Sequence, residues 1–404
     1  MILGVSIYNS RVRGWSRTLL FAVSVLCLHV SLAEAKSQAV WGGVSIEKSA
    51  IPSAPVAADL LSGADGRLDI EARRRIREKP FKNIEFISRV TGKQQEAVIV
   101  TASIARESLE IFKDLQASTP TYYHTYRIFL NLMAFDWDDT GGQKGRYIAS
   151  VPFVIDFLDA KGAPASKEEK RATFTSMYLD NNLSGINVFD ELYKASSHLV
   201  IDGDSEKFPQ IAKFVFNAEV LETLGGEDAF ASSSHILRQF FEAQVVKASG
   251  AVLVPAMDTK RANQEFKFVF SDRSQAIVLP EPLGEIVVKI ERIIPFTKVV
   301  DVQKTLCFGA VIKIFVYDEL GDILMERKFA RTSDACFVTH KDNIVNPIRY
   351  FVKNLLLLLK KTADQFGGSV DRAWLEKMGV PSEMIPLYGD EIKTVKRELL
   401  KDFR

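Results

Sequence analysis

The sequence predicts an α/β fold of the α+β kind: two modules, each a mainly antiparallel sheet flanked by amphipathic helices. Three observations predict it. Runs rich in β-branched, aromatic and apolar residues, such as Tyr126–Asp136, Arg146–Asp159, Glu285–Phe296 and Thr305–Asp318, are joined by turn-rich stretches too short for a crossover helix. Stretches with apolar residues every three or four positions, such as Asp228–Ala248 and Pro347–Phe366, flank those runs. The pattern also recurs. Ile155–Gly162 matches Ile314–Gly321 as an apolar strand ending in Asp before a turn with Gly, and Ile128–Phe135 precedes the first as Val287–Ile294 precedes the second. The offset is close to 159 residues, and it reads either as a duplication or as two unrelated modules with similar hairpins.

From the N-terminus, residues 1–35 have the order of a secretory signal peptide: basic Arg11, Arg13 and Arg17, the apolar run Leu19–Leu32, then Ala33-Glu34-Ala35 with cleavage expected after Ala35. The run falls short of the roughly 20 residues of a membrane span, so no transmembrane span is expected once the signal is removed; a retained signal anchor is the alternative. Leu26 precedes Cys27 where a lipoprotein signal needs a small residue, and Val12 separates Arg11 from Arg13, so there is no twin-arginine pair. Export places the protein in the periplasm or outside the cell.

Residues 36–90 read as a leader. Positions 36–60 are rich in Ser, Ala and Pro and predict a flexible segment, and 67–79 predict a basic helix stopped by Pro80. Its Arg73, Arg74, Arg75, Arg77 and Lys79 are either a solvated helix face or a contact for an acidic partner such as an anionic lipid or glycan.

The first module, 91–225, begins with a helix predicted over Gln94–Gln116 from Val98, Ala102, Ala105, Leu109 and Phe112. Two strands joined by Trp137–Gln143 follow, then a third strand over Arg171–Leu179 and helices over Asn187–Val200 and Pro209–Leu224. The second module, 226–370, opens with the helix Asp228–Ala248 and continues with short strands over Ala251–Ala256, Glu265–Phe270 and Ala276–Leu279. Long strands over Glu285–Phe296, Thr305–Asp318 and Ile323–Arg331 come next. A helix over Pro347–Phe366 closes the module, with Asn346 as N-cap, Pro347 at its first position and Gly367 at its end. Residues 371–404 form a helical tail.

A hydrophobic content of 47% and a charged content of 25% are those of a globular protein. The net charge of +1 supplies no global field for nucleic acid, which is not expected as a partner. Cys307 and Cys336 remain after cleavage, and an even pair in an oxidising compartment is a disulfide candidate. Extending the hairpin register from the turn Glu319–Asp322 sets Cys307 opposite position 334, two residues short of Cys336, a gap that a bulge or register shift closes. Two separate buried thiols are the alternative. No second pair of Cys or His lies at zinc-ligand spacing, and no metal or cofactor is expected.

One stretch carries a catalytic pattern. Leu132–Phe135 runs into Asp136-Trp137-Asp138-Asp139-Thr140, which resembles the first motif of the haloacid dehalogenase superfamily. That resemblance implies a Mg²⁺-dependent phosphatase with Asp136 as nucleophile and Asp138 as general acid/base. Met384–Asp390, an apolar run ending in Gly-Asp, echoes the last motif of the same family. Against it stand Gly141-Gly142 after the Thr, and Thr394 and Val395 where an acidic residue is expected; a loop between two strands uses the same Asp and Gly residues. None of His124, His198, His235 and His340 belongs to a recognised motif, and Ser232–His235 lacks a nucleophile elbow. Residues 230–366 resemble, in element order, the TolB N-terminal-like and CsgG-like α/β modules of envelope assembly proteins: a helix, the strand Ala251–Pro255, a long hairpin and a closing helix. That resemblance implies a non-enzymatic periplasmic scaffold whose partners are other envelope proteins or a second copy of itself. The exported phosphatase is the alternative.

Overall fold

A computed structural model describes residues 37–63, 66–87, 96–114, 120–138, 144–180, 185–201, 208–223, 227–255, 265–300, 303–331, 336–338, 347–367, 370–377 and 380–400. The signal segment with its expected cleavage after Ala35 lies outside them. Within these residues the chain is α/β, with helices and mainly antiparallel strands in two sheets.

The first sheet begins in the stretch expected to be a flexible leader. β1 (Ser37–Glu47) is instead a buried strand, parallel to β3 (Glu96–Asp114), with Val44 opposite Ala102 and Ile46 opposite Ile104. A 3-10 turn over Lys48–Ser53 and helix α1 (Pro55–Ser62) follow, then α2 (Arg67–Glu78) and the short β2 (Ile84–Phe86) beside β1. β3 replaces the helix expected over 94–116. It pairs antiparallel with β4 (Thr121–Asp138), which pairs antiparallel with β5 (Lys144–Lys161). β8 (Ser274–Val278) lies parallel to β5, and β7 (Glu265–Val269) pairs with β8 and again with β1 through Ile46 and Glu47. That last pairing closes the sheet into a ring of six strands.

Closure explains the sequence of these strands. The register puts Ser45, Thr101, Met133, Ser150, Tyr147, Phe266 and Ile277 on the inner face, where all are buried. Val44, Ala102, Leu132 and Val151 lie on the outer face and are buried too, beneath a layer of helices. That layer includes α3 (Lys167–Leu179), a helix where a strand was expected, started by a capping box between Ser166 and Glu169. It also includes α4 (Val188–Ser196), whose N-cap Asn187 accepts from the Phe189 amide at 2.8 Å. Glu107 is the buried hinge between sheet and helices. Its carboxylate accepts from the amides of Val56 (3.1 Å) and Ala57 (2.7 Å) at the start of α1 and from the Tyr178 hydroxyl on α3 (3.1 Å). Burial, the dominant influence, pushes its pKa up despite these donors.

The second sheet has the order β11-β10-β9-β6. β6 (Phe208–Phe216) replaces the expected helix 209–224, and only the short α5 (Ala218–Thr223) follows it. β9 (Pro282–Val300) is parallel to β6 and antiparallel to β10 (Gln303–Tyr317), which pairs with β11 (Ile323–Arg331). The expected strand 251–256 reduces to a single parallel bridge from Val254 to Gln210, in a buried stretch over 251–255. The Leu253 carbonyl accepts from the hydroxyls of Tyr147 (2.6 Å) and Ser150 (3.2 Å) on β5, which ties this stretch to the first sheet. α6 (Glu227–Ser249) and α7 (Pro347–Gln365) pack together over one face of the second sheet, with Phe241 edge-on to Phe214. The tail forms α8 (Arg372–Lys377) and α9 (Ile385–Glu398), and Arg327 of β11 pairs with Glu391 of α9 at 2.5 Å.

The two long hairpins, β4–β5 and β9–β10, do recur at the expected offset, but their neighbours do not: β3 stands where the first repeat needs a helix. The boundary expected at 225/226 does not separate the sheets, because β6 belongs to the second and β7 and β8 to the first. The described residues from Gln38 onward form a single compact unit. Among the described residues no helix is long and apolar enough to cross a membrane.

Candidate functional site

The carboxylate that the alternative phosphatase reading would use as nucleophile lies on an antiparallel strand. Asp136 lies near the end of β4, which is antiparallel to both neighbours, and pairs with Arg146 across the hairpin at 2.7 Å. A nucleophile of the haloacid dehalogenase type needs the carboxyl end of a parallel strand. Asp136 has instead a cross-strand ion pair that occupies its carboxylate. The Asp138 side chain and the turn 139–143 lie outside the described residues. The second motif fails independently, since Ile385–Glu398 is a helix through Gly389 and Asp390 and not a strand. Among the described residues no group of His, Cys, Asp and Glu could hold a metal ion.

The basic helix is largely neutralised by its own sequence. On α2, Arg74 binds Glu71 and Glu78, Arg75 binds Glu71, and Arg73 lies 3.6 Å from Asp69. Lys79 reaches Asp190 at 3.8 Å and sits 4.3 Å above the Tyr193 ring. Arg77 forms no ion pair among the described residues. Asp69 serves the fold, accepting from the Val44 amide at 2.7 Å beside Gly43, which has φ +102° and where a Cβ would meet the Asp69 carboxylate at 2.7 Å.

The cysteines meet where the register shifts. β12 (Cys336–Val338) pairs with β10 two residues out of step with β11, and this sets Cys336 directly opposite Cys307. Facing residues of antiparallel strands lie about 4.5–5.5 Å apart at Cα, within the span of a disulfide.

The surface that stands out was not singled out by the sequence. Helices cover one face of the second sheet, where Ile286, Val288, Ile312, Ile314 and Val316 are buried. The opposite face carries a groove of about 690 Å³ lined by Lys213, Val287, Lys289, Phe315 and Tyr317 and rimmed by Glu285 and the turn 318–321. Register builds it in rows. Lys289, Lys313 and Lys328 face one another across β9, β10 and β11; Lys213, Val287, Phe315 and Glu326 form the next row; Glu285 faces Tyr317 in the third.

Like charges side by side across strands are unfavourable, and two of the three lysines in the first row are compensated. Lys313 pairs with Glu326, a hydrogen bond that raises its pKa, and Lys328 binds Glu291 at 2.7 Å. The Lys328 bond is the first cause of a lowered Glu291 pKa, and the field of Lys289 contributes to it. Lys289 and Lys213 make no hydrogen bond or ion pair among the described residues, nor does Glu285. Phe315 and Tyr317 lie nearly parallel at 11°, 6.1 Å apart, and the Lys313 ammonium sits 4.8 Å from the Phe315 ring.

Two features shape the rim. The Asp318 carboxylate accepts from the amides of Leu320 and Asp322, both at 2.9 Å, fixing a turn that needs Gly321 at φ +86° and leaves Leu320 82% exposed. A Cβ on Gly284 would collide with the Tyr317 carbonyl and, at 2.6 Å, with Leu399, so glycine lets the C-terminal tail pack closely against the start of β9. No protein-family model and no curated protein matches this chain.

Proposed function

We propose that this chain is an exported, non-enzymatic binding module of the cell envelope, periplasmic or secreted, which acts in assembly or as a scaffold by holding a protein partner on the open face of its second sheet. The observation that carries the reading is that face: a concave surface with an apolar, aromatic floor and unpaired charge, on a sheet whose other side is anchored by helices. The export signal supports it, and cleavage after Ala35 keeps all of β1, which begins at Ser37, in the mature chain. The site needs no cofactor for this role. In an oxidising compartment Cys307 and Cys336 form a disulfide that fixes β12 against β10; reduction is expected to lower stability by about 3 kcal/mol, read as a dithiothreitol-dependent fall in the urea midpoint that is absent in Cys307→Ser.

The test of function uses the full chain expressed in a Gram-negative host. The mature protein is expected in the osmotic-shock fraction with Lys36 at its N-terminus. Replacing Phe315 with the photocrosslinker p-benzoylphenylalanine is expected to give one discrete adduct on irradiation of the cells. Retention in the cytoplasm, or no adduct at Phe315, overturns the reading.

A further inference from the structure

Resting on that binding-module reading, we infer that the groove takes an extended segment of a protein partner in which an acidic side chain and a basic side chain stand four residues apart, with an apolar side chain midway between them. The geometry is that of β9. Lys289, Val287 and Glu285 share one face at two-residue intervals, so the unpaired ammonium and the unpaired carboxylate lie about 13 Å apart along the strand. The row spacing sets Lys213 beside Val287 in the middle row, one row from Lys289, and Tyr317 opposite Glu285 at the acidic end. Between the charged ends the floor is Val287, which is buried, and the Phe315 ring.

An occupant must match this dipole. A polyanion such as single-stranded nucleic acid finds lysines and a stacking ring in the first two rows, but it meets Glu285 in the third. An anionic membrane meets the same carboxylate and cannot enter a concave surface. An extended peptide fits, because its side chains also repeat every two residues on one face. An acidic–x–apolar–x–basic segment places its carboxylate at Lys289, with the Lys213 ammonium one row away, its apolar side chain on Val287 and Phe315, and its cation at Glu285. The segment is read by side chains of the sheet face, so specificity comes from charge order and from desolvation of the central side chain.

The test is fluorescence anisotropy with the purified full chain and labelled heptapeptides: Ser-Glu-Ser-Leu-Ser-Lys-Ser, the version with Lys at both charged positions, the version with Glu at both, and a hexathymidylate as polyanion. The mixed-charge peptide is expected to bind about tenfold more tightly than either uniform one. Glu285→Lys is expected to transfer the preference to the doubly acidic peptide, and the double variant Lys213→Glu/Lys289→Glu to the doubly basic one. Because the three residues sit on the open face, unchanged urea midpoints check that the variants fold. Equal binding of all peptides, tightest binding of the hexathymidylate, or no transfer of preference overturns the inference. If this happens while the Phe315 adduct persists in cells, the charge order falls and the binding-module reading stands; loss of both removes both.

Discussion

The two sheets are built around hairpins of similar length and reach opposite ends. In the first, β7 returns to β1, the ring closes, and a helix layer covers its outer face, so Ser45 and Thr101 are as buried as Val44 and Ala102. In the second, α6 and α7 cover one face, and the other keeps Lys213 and Glu285 exposed and Lys289 half-buried. Closure and the helix layer bury both faces of the ring strands, whereas one-sided cover leaves a patterned face. Carboxylates show the same contrast. Glu107 in the closed region is buried and spent on capping α1, and Glu291 in the open region is held by a lysine at the surface.

The largest expected effect breaks the closed region. Glu107→Ala strands two helix N-terminal amides and the Tyr178 hydroxyl and is expected to cost about 4 kcal/mol in urea denaturation; a loss below about 1 kcal/mol would show that Glu107 is not the join between sheet and helices. Next comes the rim of the open region. Gly284→Ala drives a methyl into the Tyr317 carbonyl and Leu399 and is expected to cost about 2 kcal/mol, read as a lower urea midpoint.

Acid titration separates the two regions by sign. The pKa of Glu107 is raised on folding, so its contribution is present below the ordinary glutamate value and is lost as pH rises through the raised one. That of Glu291 is lowered, so its contribution is present above the ordinary value and is lost as pH falls through the lowered one. The stability difference between wild type and Glu107→Gln should therefore shift in favour of wild type on acidification from pH 7 to 4, and that for Glu291→Gln should shift against it. Shifts of the same sign would contradict the assignment. The smallest effect is at Asp136→Asn, which removes one hairpin ion pair and should cost less than about 1 kcal/mol, with no change in aryl-phosphate turnover in the presence of Mg²⁺.

How much of this was legible in sequence depends on burial. The hairpins β4–β5 and β9–β10 and the helices α4, α6 and α7 were readable, because each has one apolar face or one unbroken β-rich run. β3 was not. It is buried on both faces, and a bulge at Ala105 shifts its phase, so Val98, Ala102, Ala105 and Leu109 imitate helical spacing. α3 looked like a strand for its threonines and aromatics, although Ser166 and Glu169 carried the capping-box signal that starts it. β1 was hidden by Gly42-Gly43 and by the Ser and Ala residues around it, whose role as inner-face small residues exists only once the ring closes. The groove was the least legible. Its residues come from β6, β9 and β10, separated by dozens of positions, and only Lys313-x-Phe315-x-Tyr317, alternating with buried Ile314 and Val316, hinted locally at a patterned open face.

The most direct test of the central claim, that binding belongs to the open face of the second sheet, is a photocrosslinking scan of both regions in cells. p-Benzoylphenylalanine would replace Phe315 or Leu320 in the groove, and Ile70 or Leu158 among the exposed apolar residues of the first region. Adducts of one common mass from both groove positions, and none from the other two, are predicted. Adducts from Ile70 or Leu158 with none from the groove would contradict it.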